Sequence, residues 1–172
     1  MGVLFDYFSA GADESAADTI DLVGGPGRPA SAPAAKKSLL RRRTIERSPA
    51  PGPNVDAVSV KGIDPVVQMG TLEELLTGRP YDDVMEDPRC GRELAVRDGG
   101  NRLVLTITDT LLNGLAVATD EELVAVAELW AQTEEFFGQA EGAQLLPFLR
   151  DMAALAARAQ HQGHHLYCWV CA

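Results

Sequence analysis

The chain has only three histidines in 172 residues, and all of them (His161, His164 and His165) fall within five positions. A serine or cysteine nucleophile served by a distant histidine is thereby excluded, unless the nucleophile folds onto that stretch. No serine stands in a Gly-x-Ser-x-Gly elbow, and Gly24-Gly25-Pro26-Gly27 lacks the Gly-Lys-Ser/Thr of a phosphate loop. No His-x-Glu accompanies the cysteines as in a zinc deaminase, and Asp82, Asp83, Glu86 and Asp87 lack calcium-loop spacing. No apolar run approaches the ~20 residues of a membrane helix. The start MGVLFDYFSA has no basic region, and Asp6 both interrupts its apolar run and stands where a myristoylation signal wants Ser or Thr. Three cysteines, an odd number, without an export signal are expected as reduced thiols in a cytoplasm.

Negative charge, by contrast, is abundant: 25 acids against 15 bases give −10. The distribution is uneven. Residues 1–27 hold five acids and no base, residues 28–47 hold seven bases and only Glu46, and residues 48–172 hold nineteen acids and eight bases. The chain outside the basic window is therefore near −16, which excludes general binding to nucleic acid or an anionic membrane. Residues 24–53 carry six of the ten prolines, too proline-rich and polar to pack a core. They read as a disordered insertion between residues 1–23 and 54–172 of one domain. Lys36, Lys37, Arg41, Arg42, Arg43 and Arg47 make this window the one place where a nucleic acid or another acidic partner could bind. No aromatic residue is interleaved for base stacking.

Periodicity supplies the elements. Residues 2–9 read as a buried strand, 12–20 as a short helix or turn, and 55–60 as a second strand. Asp64-Pro65 starts a helix that carries Val66, Val67, Met69, Leu72, Leu75 and Leu76 and stops at Gly78. Residues 79–91 read as an acidic loop. Residues 93–108, ELAVRDGGNRLVLTIT, read as a hairpin about Asp98-Gly99-Gly100-Asn101. Thr119 and Glu122 form a capping box ahead of a helix bearing Leu123, Val126, Ala127, Trp130 and Phe137. A last helix spans roughly 143–161, with Pro147 assigned to its first turn, and residues 164–171 form a closing strand. This order predicts an α+β fold, a single mixed sheet covered by helices.

MGVLFDYFSA, LEELLTG, TDEELVAVAELW and FLRDMAALAARAQHQGHHLYCWV, in that order, resemble the YfbM-like family of small bacterial proteins. The chain departs from that pattern at Gly62-Ile63-Asp64-Pro65 and Gln68, and in its proline-rich basic insertion. The resemblance implies an α+β fold. It implies no activity and carries no catalytic residue across.

His164, His165, Cys168 and Cys171 offer the nitrogen and sulfur ligands that zinc takes. In a strand, however, Cys168 and Cys171 are an odd number apart and point to opposite faces. A chelate would need the segment to curl, which Tyr167, Trp169 and Val170 oppose. The strand reading makes these cysteines structural, and no motif calls for a cofactor. Cys90 lies between Arg89 and Arg92, whose charges would lower its pKa and make it the more reactive thiol where exposed; with no histidine elsewhere in the chain to act as a base, a free surface thiol is the stronger reading. Asp109, near Asn113, is a cleft carboxylate or, on the stronger reading, a helix cap. The leading expectation is a non-enzymatic, cytoplasmic, acidic module that binds another protein, of inhibitor or immunity type. The alternative is a small-molecule- or zinc-binding enzyme with its site near the C-terminal strand.

Overall fold

The computed structural model describes residues 3–27 and 55–172, so all seven basic residues of the insertion, Lys36, Lys37, Arg41, Arg42, Arg43 and Arg47 among them, lie outside it. Five strands form one sheet: β1 (Leu4–Ala10), β2 (Ala57–Lys61), β3 (Glu93–Arg97), β4 (Arg102–Thr106) and β5 (His165–Cys171). Their order is β2-β1-β5-β4-β3 and every neighbouring pair is antiparallel. The fold is α+β with a single sheet, as the patterning predicts, but the sheet is not mixed. β5, arriving last, enters between β1 and β4, which run the same way, and pairs antiparallel with both.

Six helices accompany the sheet: α1 (Asp13–Ala17), α2 (Val67–Thr77), α3 (Tyr81–Met85), α4 (Asp109–Val117), α5 (Asp120–Ala131) and α6 (Gly142–Gln162). Strand alternation divides the apolar residues into two cores. Phe5, Tyr7, Leu105, Leu166, Cys168 and Val170 face Leu72, Leu111, Trp130, Leu149 and Met152 from the long helices. Phe8, Val104, Tyr167 and Trp169 point the other way, onto Ala16 and Ile20. Trp130 is fully buried, and its indole N–H donates to the Gln68 carbonyl at 3.0 Å, which satisfies the one polar group it brings inside.

Local signals set the helix ends. The capping box at α5 is present, with Thr119 Oγ1 accepting from the Glu122 N–H and the Glu122 side chain accepting from the Thr119 N–H. Asp64 accepts from the N–H groups of Val66 and Val67, both at 2.8 Å, although the regular turns of α2 begin only at Val67. α6 begins at Gly142, so Pro147 lies in its second turn and deprives the Ala143 carbonyl of its helical donor.

Two elements depart from the sequence reading. The acidic loop contains the short helix α3, and α4 follows the hairpin directly, with Thr108 as N-cap accepting from the Leu111 N–H. Gly114 interrupts the apolar pattern of α4 because a Cβ there would meet the Thr77 methyl group at 2.8 Å, where α2 and α4 cross.

The boundary of the insertion also shifts. Gly24–Gly27 belong to the folded domain, with Gly25 and Pro26 buried. The strap lies across Asp6, which is fully buried and accepts from the Gly27 N–H at 3.0 Å. A Cβ at Gly25, whose φ is +85°, would press into that carboxylate and onto the Trp169 ring. Glycine is therefore needed here for close approach, and the stretch that reads as linker is a cover.

Candidate functional site

Alternation along β5 separates the four residues of the zinc reading. Cys168 enters the large core, and burial pushes its thiol pKa up. Cys171 lies half-buried on the opposite face, against the small core. His164 packs its ring against Gly11, while His165 is held by Asp109. Among the described residues no three His, Cys, Asp or Glu side chains are grouped to hold a metal ion.

A different set converges at the start of β5. His165 Nδ1 lies 2.7 Å from Asp109 Oδ1, presented by the first turn of α4. Arg89 reaches Asp109 at 3.5 Å and Asp13 at 3.1 Å, and Arg92 also pairs with Asp13. The Tyr167 hydroxyl donates to Asp13 Oδ1 at 2.9 Å, and the Arg89 guanidinium stands 5.4 Å from the centre of the Tyr167 ring. Burial works to raise the Asp13 pKa, but hydrogen bonds from Arg89 and Tyr167 and the two guanidinium charges outweigh it and hold it below the usual value. The Tyr167 phenol is pushed up to about 12, by burial first and then by Asp13. Two arginines and two aspartates cancel, so the network fixes the imidazole orientation of His165 without building a net charge.

Of this set, His165 and Asp109 were singled out by sequence, while Asp13, Arg92 and Tyr167 were missed. No spacing signal links Asp13 to residues 76 and 154 positions away. Asp109 is the first residue of α4, and Thr108 takes the cap, which leaves the carboxylate free for His165.

Cys90 has a different environment from the one its neighbours in sequence suggest. It lines a hollow of about 10 Å³, room for one water, with Met69, Glu73 and Thr108. Its pKa is raised, not lowered, first by burial and then by the carboxylates of Glu73 and Asp87. Glu73 is almost fully buried, accepts from Thr108 Oγ1 and pairs with Arg79 at 3.1 Å. Arg89 and Arg92 turn away from the thiol, toward Asp13.

The cations of the described residues are largely spent within the molecule. All seven arginines of residues 55–172 sit in ion pairs, which leaves Lys61 as the one basic residue outside any pair among the described residues. The exposed carboxylates carry the field. Glu128, Glu134 and Glu141 surround the turn between α5 and α6, all exposed. Glu128 lies in the last turn of α5, where the helix dipole favours cations by ~0.3–1 kcal/mol, so helix physics does not account for it. At the tip of the turn stands Phe137, 84% exposed and with φ 52°. A bulky residue in the left-handed region is a backbone outlier, and this one has almost no burial to offset it. Leu129, 53% exposed, is a second exposed apolar side chain, in the last turn of α5.

No helix among the described residues is long and apolar enough to cross a membrane. No protein-family model, curated protein or solved structure matches the chain.

Proposed function

We propose that the protein is a non-enzymatic, cytoplasmic binding module, of inhibitor or immunity type, whose α5–α6 turn engages a basic protein partner. The observation that carries this reading is Phe137, held exposed and strained within a rim of glutamates. An aromatic side chain seated in a partner's pocket, with charges around it, is the usual anatomy of a binding hot spot. The rim supplies fast encounter with a cationic surface and sensitivity to salt. The experiment is capture of a stoichiometric partner at low salt from the native cells, repeated with Phe137→Asn and at high ionic strength. Loss of the partner under both changes supports the reading. No stoichiometric partner, or capture indifferent to salt and to Phe137, refutes it.

The His165–Asp109 contact favours a second reading, a small-molecule site at the start of β5. An imidazole oriented by a carboxylate can accept a proton at its other nitrogen, and Arg89 has one buried Nη2 without a partner among the described residues. A thermal-shift screen of anionic metabolites distinguishes the two. Stabilisation by a carboxylate or phosphate ligand that disappears in His165→Gln would reverse the ranking.

A further inference from the structure

The two edges of the sheet are built differently. β3 is guarded by a register shift between Glu93 and Ala95 and by its own charges, a common defence of an edge strand. β2 is regular. The Ser9 N–H donates to the Asp56 carbonyl at 3.3 Å, and the register alternates from there. The backbone groups of Val58 and Val60 therefore face β1, while the N–H and C=O groups of Ala57, Ser59 and Lys61 face outward. Among the described residues no strand pairs with that side. Beside it, α6 leaves a groove of about 370 Å³ lined by Ala57, Val58, Ser59, Asp151, Ala154 and Arg158.

We propose that this edge and groove form an interface with the same surface of a second copy of the chain, antiparallel about a twofold axis. The surface is self-complementary. Asp151, Ala154 and Arg158 lie along one face of α6, and antiparallel pairing centred between Ala154 and Leu155 sets Asp151 of each copy opposite Arg158 of the other. The small Ala154 beside that centre lets the helices approach. Arg158 already gives Nε and Nη2 to its own Asp56, at 2.6 and 2.9 Å, and its Nη1 remains for Asp151 of the second copy.

The strands agree with the helices. Arg158 lies level with Asp56, so the level of Ala154 on α6 corresponds roughly to Val58 on β2, after allowing for rises of ~1.5 and ~3.3 Å per residue. Pairing Val58 with Val58 of the second copy puts Ala57 opposite Ser59, and both present their backbone groups outward. Adjacent strands lie ~4.8 Å apart and α6 packs over β2, β1 and β5, so a sheet continued through β2 carries the two α6 helices on the same face, one on either side of the twofold axis. This inference does not rest on the proposed function, because β2 and the α5–α6 turn are separate surfaces.

Analytical ultracentrifugation of the full chain tests it. The expected species has twice the 18.4 kDa of the chain. Asp151→Arg and Arg158→Asp should each weaken dimerisation at least about tenfold, because each sets like charges opposite one another. Mixed in equal amounts, the two variants should recover the dimer as a heterodimer, since each mismatch is then paired. Ala57→Pro removes an outward N–H without disturbing the pairing to β1, and should also give monomer with an unchanged far-UV spectrum. A full chain that stays monomeric at about 100 μM overturns the proposal. So does a dimer indifferent to Asp151→Arg and Ala57→Pro. A monomer whose Ala57 and Ser59 amides resist hydrogen exchange would assign the edge to residues 28–54 of the same chain, and would overturn it equally.

Discussion

Replacing Phe137 with asparagine separates a structural role from a binding role at the tip of the α5–α6 turn. With 84% of the side chain exposed, about a sixth of a ~200 Å² surface is buried. That is roughly 30 Å², or about 0.8 kcal/mol at ~25 cal/mol per Å², and this is an upper bound because unfolded chains also bury some surface. Against it stands the φ of 52°, which costs an ordinary residue ~1 kcal/mol and asparagine appreciably less. The two terms nearly cancel. Phe137→Asn should therefore leave unfolding free energy within about 0.5 kcal/mol of the parent, as read from the urea midpoint at unchanged slope. Binding to the partner should fall by about 2 kcal/mol, or roughly thirtyfold, as expected for a seated aromatic. A stability loss above about 1.5 kcal/mol would show that Phe137 serves the fold, and the hot-spot argument would then fail.

Trp130→Ala should cost ~3–5 kcal/mol in chemical denaturation, because it empties the centre of the large core and strands the Gln68 carbonyl. The three tyrosines, Tyr7, Tyr81 and Tyr167, all have raised pKa values, chiefly from burial, so absorbance near 295 nm at pH 10.5 should show much less tyrosinate in the folded protein than in the unfolded chain. An unfolded chain ionises them near ~10, so the stability they contribute should be complete below that pH and fall as pH rises toward about 12; a folded protein that gives the same tyrosinate signal as the unfolded chain would contradict the burial. Cys90 should alkylate more slowly at pH 8 than a free peptide thiol, and Glu73→Gln should speed it by removing the nearest unfavourable charge. Asp13 and Asp87 both titrate below the ordinary range. Their stabilisation is present above about pH 4 and lost as pH falls through the lowered values, and Arg89→Ala should shift the acid transition upward.

The architecture was legible wherever a residue's role is decided within a turn or a strand of its neighbours. The alternation of residues 165–171 predicted opposite faces for Cys168 and Cys171, and the two cores divide them that way. Thr119 and Glu122 announced α5 because both halves of the cap lie within four residues. α4 was missed for the opposite reason. Gly114 breaks its apolar pattern, and that glycine answers to Thr77 on another helix. The same holds for Gly24–Gly27, whose glycines and proline read as linker until Asp6 and Trp169 lie beneath them. A glycine kept for close approach and a glycine kept for flexibility look alike in one dimension.

The polar chemistry shows the same limit. Arg89 and Arg92 flank Cys90 in sequence, and proximity along the chain suggested an activated thiol. Cross-strand geometry instead sends both guanidinium groups to Asp13, 76 and 79 positions away, and leaves Cys90 facing Glu73 and Asp87. The seven described arginines follow that pattern: each is drawn to a carboxylate, so the unpaired charge on the described surface is largely negative. The described residues hold 24 acids and 8 bases, so they are more negative than the −10 of the whole chain. A basic partner approaching the α5–α6 turn finds Glu128, Glu134 and Glu141 without a compensating arginine and Phe137 raised among them. An anionic ligand finds its best opportunity where two arginines remain close together, at Asp13. There Asp13 already pairs with both, and the one Arg89 nitrogen without a partner among the described residues, Nη2, is buried, so an anion would have to displace that carboxylate to reach the pair.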